Sequence, residues 1–370
     1  VENGGFGIAG DVMSIRPDRR ALDLLGIELP VVQAPMAGPA TPDMVAAVSG
    51  AGGLGSLPAT FLSPDQIRTV LGALRRQTSK PVNLNYFCHR PPQADPARQA
   101  AWQQRLAPYY AELGLEPPPA GEAWGPTPFD EVRCEVLEAL RPEIVSFHFG
   151  LPDPALVDRV KRAGAKILSS ATTVAEAVWL QDHGCDAVIA QGLEAGGHRG
   201  TFLSADVSGQ AGTMALVPQI VDAVTIPVIA AGGIADPRGV AAALALGASA
   251  VQVGTAYLFC PEATLSPLHR QALASARDDS TVITNVFTGR PARAIVNRVI
   301  RDLGPIAGGM PDFPLPGGPL APLRAASEPS GADDFVPLWA GQAAHLGREM
   351  PAANLTLWLA GAPAVRPVAV

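Results

Sequence analysis

Four cysteines, Cys88, Cys134, Cys185 and Cys260, are too few and too scattered for a disulfide framework, and there is no C-x-x-C pair or His/Cys group at zinc-ligand spacing. Reduced, mostly buried thiols and no metal are therefore expected. Charge of one sign is also scarce. Lys and Arg number 27 against 34 Asp and Glu, a formal charge of −7, and the basic residues form isolated pairs such as Arg75-Arg76 and Lys161-Arg162. That excludes the basic stripe of a nucleic-acid binder. Long apolar runs are missing too: Val240 to Val253 is interrupted by Gly247 and is too short to span a bilayer, and no basic head followed by an apolar stretch opens the chain. The expectation is a soluble, cytoplasmic protein.

Apolar residues, by contrast, make up 48% of the chain and charged ones only 16%, a balance that suits many strands buried on both faces. Short β-branched or apolar runs bounded by Gly, Pro or Asn recur through the first 260 residues, and eight read as strands: Pro30 to Pro35, Gly53 to Leu57, Pro81 to Tyr86, Ile144 to Phe149, Lys166 to Ser169, Ala187 to Gln191, Ile226 to Ala231 and Ala250 to Val253. Helical patterns lie between them, among them Pro42 to Ser49, Pro64 to Arg76, Pro154 to Ala163, Thr173 to Asp182 and Pro237 to Leu246. Eight β/α units imply parallel strands with right-handed crossovers. That count favours a (β/α)8 TIM barrel over a doubly wound open sheet.

The expected organisation is a barrel over residues 16–258 with an irregular, Pro- and aromatic-rich insertion at about 88–130. A smaller helical cap or substrate domain follows at 259–335, and a C-terminal segment, 336–370, returns to the barrel. Gly50-Ala51-Gly52-Gly53-Leu54-Gly55 matches G-x-G-x-x-G, yet it follows a helix and leads into a strand, the reverse of a dinucleotide fingerprint. It reads as a tight turn.

In such barrels ligands bind at the C-terminal strand ends, phosphates commonly beyond strands seven and eight. Strand seven runs out into Gly232-Gly233 ahead of Asp236-Pro237, which opens a helix, and strand eight into Gln252-Val253-Gly254-Thr255. Glycines alone make βα turns, but the two motifs together form a phosphate cradle. One phosphate without a Rossmann unit points to FMN ahead of FAD or NAD, although sugar phosphates use the same cradle. After strand six comes Gln191-Gly192-Leu193-Glu194-Ala195-Gly196-Gly197-His198-Arg199-Gly200-Thr201. Gly196-Gly197 would let the backbone pass close to a flat ring system, and His198 would be poised to take a proton from a carbon acid; a surface histidine is the alternative. His89 and His148 also fall at strand ends. Met36 either lies against a flavin or fills the barrel top. Asn83 and Asn85 share one face of strand three, as flavin contacts or as satisfied interior amides.

Gln33-Ala34-Pro35-Met36, the Ala51 to Gly55 stretch, Asn83 to His89, Glu194 to Gly200 and Gln252 to Thr255, with Trp339-Ala340-Gly341-Gln342 near the end, together resemble the class I nitronate monooxygenases, formerly called 2-nitropropane dioxygenases. The resemblance implies FMN, molecular oxygen, and oxidation of alkyl nitronates such as propionate 3-nitronate to carbonyl products and nitrite or nitrate. It implies His198 as the catalytic histidine, taking the α-proton where the substrate is a neutral nitroalkane. Met36, Asn85, Gln191, Gly196, Gly233, Gln252, Gly254 and Thr255, with Gln342, become expected flavin contacts. An FMN-dependent enoyl-thioester reductase, a related barrel with a Gly-Gly-His loop and a nicotinamide donor, is the nearest rival; a non-catalytic flavin- or phosphate-binding barrel is another. Neither the physiological nitronate, nor the group that holds a substrate carboxylate, nor the oligomeric state is legible.

Overall fold

The computed structural model describes residues 18–93, 95–119 and 125–362. Residues 16 and 17, where the barrel was expected to begin, Trp124 of the expected insertion, and the tail from 363 lie outside the described residues.

Eight parallel strands form where the apolar runs were read: β1 (Val31–Gln33), β2 (Gly55–Pro58), β3 (Val82–Phe87), β4 (Ile144–His148), β5 (Lys166–Ala171) and β6 (Ala187–Gln191), then, after a two-residue strand β7 (Gly197–His198), β8 (Val228–Ala231) and β9 (Ala250–Val253). They pair in the order β1-β9-β8-β6-β5-β4-β3-β2. The ring closes between β1 and β2, where Gln33 N–H donates to the Leu54 carbonyl and Leu54 N–H to that of Val31, both at 2.9 Å. The fold is a TIM barrel, and the doubly wound alternative is excluded. Gly50 ends the helix Pro42–Gly50 and the glycines after it lead into β2, the tight turn expected there.

Paired residues of parallel strands share a face, so the register reads out the barrel interior. Val32, Leu54, Ile144, Leu168, Ile189 and Ile229 form its lower layer, closed from beneath by Ala21, Leu22 and Leu25 of the helix Arg20–Leu25. Two positions further along the strands Ile144 gives way to Ser146, Leu168 to Ser170, Ile189 to Gln191 and Ala250 to Gln252. The interior thus turns from apolar to polar toward its C-terminal mouth.

The segment expected to be irregular carries an 18-residue helix, Pro96–Leu113, opened by Asp95, which accepts from Arg98 N–H at 3.0 Å, and by Pro96 in the first turn. Pro108 sits inside this helix, which is why the sequence read as a loop. Its Trp102, Leu106, Tyr109 and Tyr110 pack with Val286, Phe287, Leu320 and Phe335 in a second apolar core. Trp102 Nε1 donates to the Pro316 carbonyl at 3.1 Å. Beyond the barrel, helices Pro267–Ser275, Arg298–Leu303 and Gly317–Ser327 are joined by two strands not foreseen, β10 (Thr281–Thr284) and β11 (Ala292–Ile295). These are antiparallel, and β11 also pairs with β7, so the loop after β6 is stitched into a three-stranded sheet. The helix Ala352–Leu359 returns to the outer face of the barrel, where Thr356 Oγ1 meets the Tyr257 hydroxyl at 2.8 Å. Among the described residues no helix is long and apolar enough to cross a membrane.

Trp102→Ala removes the largest side chain of the second core and should cost about 3–5 kcal/mol. Val132→Ala, at a position 53% exposed, should change stability by less than about 0.5 kcal/mol. Urea unfolding of the two variants checks this; equal midpoints would contradict a separate core.

Candidate active site

A cavity of about 560 Å³ opens at the C-terminal mouth, within the roughly 300–1,000 Å³ usual for cofactor sites. β1 brings Met36 to it, β3 Asn85, β6 Gln191 followed by Gly196, Gly197 and His198, β8 Gly232 and Gly233, and β9 Gln252, Gly254 and Thr255. Gln342 is the one expected residue outside. It is exposed, lines an adjoining pocket, and braces the loop through its backbone, whose N–H donates to the Glu194 carbonyl at 3.0 Å.

The loop after β6 is held from beneath. The Gln191 side chain donates from Nε2 to the His198 carbonyl at 3.0 Å and accepts on Oε1 from Gly200 N–H at 2.8 Å. Its amide is thus engaged by the loop. Arg199, fully buried, donates to Gln210 Oε1 and to the carbonyls of Gly192 and Gln191, each at 2.8 Å. His148 Nε2 meets the His198 carbonyl at 3.2 Å, so that nitrogen carries the proton, and Nδ1 meets Ser170 Oγ at 3.1 Å. Arg293 of β11 adds a bond to the Leu193 carbonyl at 2.9 Å.

His198 is seated among aromatic rings: Phe313 and Trp339, each with its centroid 5.4 Å away, Phe149 at 6.0 Å and Phe87 at 6.2 Å. Its Nε2 lies 2.9 Å from Thr288 Oγ1. Burial, aided by the neighbouring His148, Arg290 and His89, pushes its pKa down to about 3. Burial likewise holds His148 and His89 at about 4. Among the described residues neither nitrogen of His89 reaches a partner at full hydrogen-bond geometry, with the Pro126 backbone pulling only weakly against its shift. Arg290, its Cζ 3.9 Å above the Phe149 ring, is lowered to about 10 by burial and remains cationic at neutral pH. The result is an electropositive corner of neutral imidazoles beside the guanidiniums of Arg290 and Arg199.

At the ends of β8 and β9 the amide N–H groups of Gly232, Gly233, Gly254 and Thr255 meet no acceptor among the described residues. Gly232 and Gly233 take φ of 118° and 69°, a left-handed path that keeps side chains away. The helix Pro237–Ala245 does not contribute as expected. Its own Asp236 caps it, accepting from Arg238 and Gly239 N–H, so the cradle rests on the turns alone. Gln252 Oε1 is buried without a partner. Asn83 is an interior amide, donating to Ser56 Oγ and Ser146 Oγ; Asn85 donates to Ser146 Oγ at 3.0 Å, and its oxygen makes no bond among the described residues. Thr288, Phe313 and Arg290 escaped the sequence reading. They follow the barrel in a region without periodicity, and only the polar run Thr288-Gly289-Arg290-Pro291 hinted at a function.

A closed barrel whose mouth gathers unpaired amides, lone amide oxygens and a neutral histidine defines a TIM-barrel enzyme built around a cofactor. The chain belongs to the nitronate monooxygenase family: the model of that family matches residues 18–360. Members of this family and their relatives are flavin-dependent oxidoreductases. A nitronate monooxygenase of Pseudomonas aeruginosa is 45% identical over 334 residues, covering 90% of this chain and 95% of that one. The solved nitroalkane oxidase of Streptomyces ansochromogenes superposes with a TM-score of 0.82 at 40% identity, over 92% of this chain and 96% of its own. FabK of Thermotoga maritima follows less closely, with a TM-score of 0.67 at 29% identity over 92% and 94%.

The depressed imidazoles, His89, His148 and His198 with His269 lowered by burial as well, have a consequence for stability. Below their ordinary value of 6.5 the unfolded chain takes up protons that the folded one refuses until about pH 4. Stability is therefore complete above pH 6.5 and falls as pH drops toward 4. Urea midpoints between pH 7 and 4.5 should show this decline, and His89→Phe should flatten it.

Proposed function

We propose that this chain is an FMN-dependent nitronate monooxygenase, oxidising alkyl nitronates such as propionate 3-nitronate with molecular oxygen to carbonyl compounds and nitrite or nitrate. The observation that carries the reading is the union, in one cavity, of four free backbone amides and a desolvated histidine. The donor set suits one phosphate: Gly232, Gly233, Gly254 and Thr255 would hold it through N–H groups. Asn85 and Gln252 offer acceptor oxygens to a ring edge, and Met36 an apolar, polarisable surface to its face. When bound, the flavin supplies the acceptor for substrate electrons and the donor for oxygen.

The chain's own residues do the rest. Phe87, Phe313 and Trp339 keep water from the reacting carbon, and Arg290 supplies positive potential for an anionic nitro group. His198 takes the α-proton of a neutral nitroalkane. Its low proton affinity before substrate binds favours a substrate already ionised, so the nitronate should be the better one. The four free thiols suit a reducing compartment, and the cytoplasm is the setting proposed.

Fresh protein should be yellow, release FMN on denaturation, and consume oxygen with propionate 3-nitronate. Colourless protein that FMN does not reconstitute would refute the reading, and rapid anaerobic bleaching by NADH without any response to nitronate would turn it to an enoyl-thioester reductase. His198→Asn should keep its flavin and lose about 10²- to 10⁴-fold of its turnover of neutral nitroalkanes, and less with nitronates. Stopped-flow and steady-state rates with both substrates measure the difference.

A further inference from the structure

His198 Nε2 and Thr288 Oγ1, 2.9 Å apart, are 90 residues apart in the chain, and both are held by rigid backbone. His198 is fixed by the pairing of β7 with Ala292 and Arg293 of β11. Thr288 stands in a turn pinned through Asn285, whose Nδ2 donates to the Ala307 carbonyl and whose Oδ1 accepts from Ala307 N–H, both at 2.8 Å. Gly289 closes that turn at φ 84°, where a Cβ would come within 2.8 Å of the Pro311 carbonyl oxygen. The Thr288 oxygen is 3.5 Å from the Arg290 carbonyl oxygen, which gives the hydroxyl hydrogen somewhere to point. Nδ1 of His198 makes no hydrogen bond among the described residues, and it is absent from the fully enclosed unpartnered atoms, unlike the nitrogens of His89.

We propose that Thr288 is a positioning residue for His198: its hydroxyl oxygen accepts the Nε2 proton, so that Nδ1, bare of hydrogen, is the atom presented to the cavity. A proton taken from a substrate carbon then goes to Nδ1, while Nε2–H goes on donating to Thr288; no bond has to reverse as the ring becomes a cation. A hydroxyl orients the ring as a carboxylate would, without adding a negative charge. The site retains its attraction for anionic substrates. The role as proton acceptor rests on the function proposed above, whereas the tautomer is a property of the protein alone.

The test is ¹⁵N NMR of selectively labelled, flavin-loaded protein, combined with kinetics. In the unmodified protein at pH 7.5, about one unit above the ordinary imidazole value, the His198 Nε2 should carry hydrogen and Nδ1 none. Thr288→Val should shift the ring toward the Nδ1–H form and lower kcat on a neutral nitroalkane by about tenfold or more, with a smaller change in KM. Thr288→Ser should restore both to near the original. A protonated Nδ1 in the unmodified protein would overturn the proposal even if no variant folds, as would a valine variant unchanged in spectrum and kcat. If no nitro compound is turned over at all, the proposed function fails and the spectrum still decides the tautomer.

Discussion

One side-chain amide holds the barrel's C-terminal mouth in shape. Gln191 sits at the end of β6 and grips the following loop at two points, the carbonyl of His198 and the N–H of Gly200. Beneath it Arg199 is fully buried with no carboxylate at its fork; amide and carbonyl oxygens take its hydrogens instead. Hydrogen bonds to charged groups contribute about 1.5–3 kcal/mol each, enough together to offset the burial of one guanidinium. A loop of small residues, which by itself would sample many paths, is thereby restricted to one. The position of the His198 ring follows from this.

That geometry also sets the electrostatics. His148 touches the same carbonyl that Gln191 grips, so the neighbour that depresses the proton affinity of His198 is the neighbour that positions its backbone. Among the described residues no carboxylate is hydrogen-bonded to any of these imidazoles, and the charges that act on them are those of Arg290 and, on His148, also Arg199. Glu194, though it lines the cavity, is occupied by the N–H and hydroxyl of Thr213. The mouth therefore holds positive potential and few mobile protons, a combination suited to an anion that must lose electrons before it gains a proton.

The barrel was legible because its strands are buried on both faces and read as near-continuous apolar runs, each broken by a Gly or Pro that the βα turn requires. The polar residues at the strand ends, Asn85, Gln191 and Gln252, stood out for the same reason: they interrupt those runs at the mouth. The cap was less legible. Pro108 inside a helix and the brevity of β10 and β11 hid regular structure, and their partners lie far off in the chain, where local pattern carries no information. Thr288 was invisible for that reason. Gln342 lines the adjoining pocket with Gly232 and Gly233, and its main-chain N–H, which any residue but proline provides, braces the loop; the helix after Gly233 is capped by its own Asp236.

The stitch between β7 and β11 divides the labour between the early and late parts of the chain. All eight barrel strands precede Thr288 and β11 in the chain, so the histidine loop is fastened by residues the ring itself does not contain. The same late stretch supplies Phe287 and Phe335 to the second core, where they cover Trp102 and the tyrosines of the helix Pro96–Leu113. Closing the scaffold and completing the chamber are thus assigned to different stretches of the chain, so that the residues up to Val253 define a barrel and only those beyond it finish the mouth.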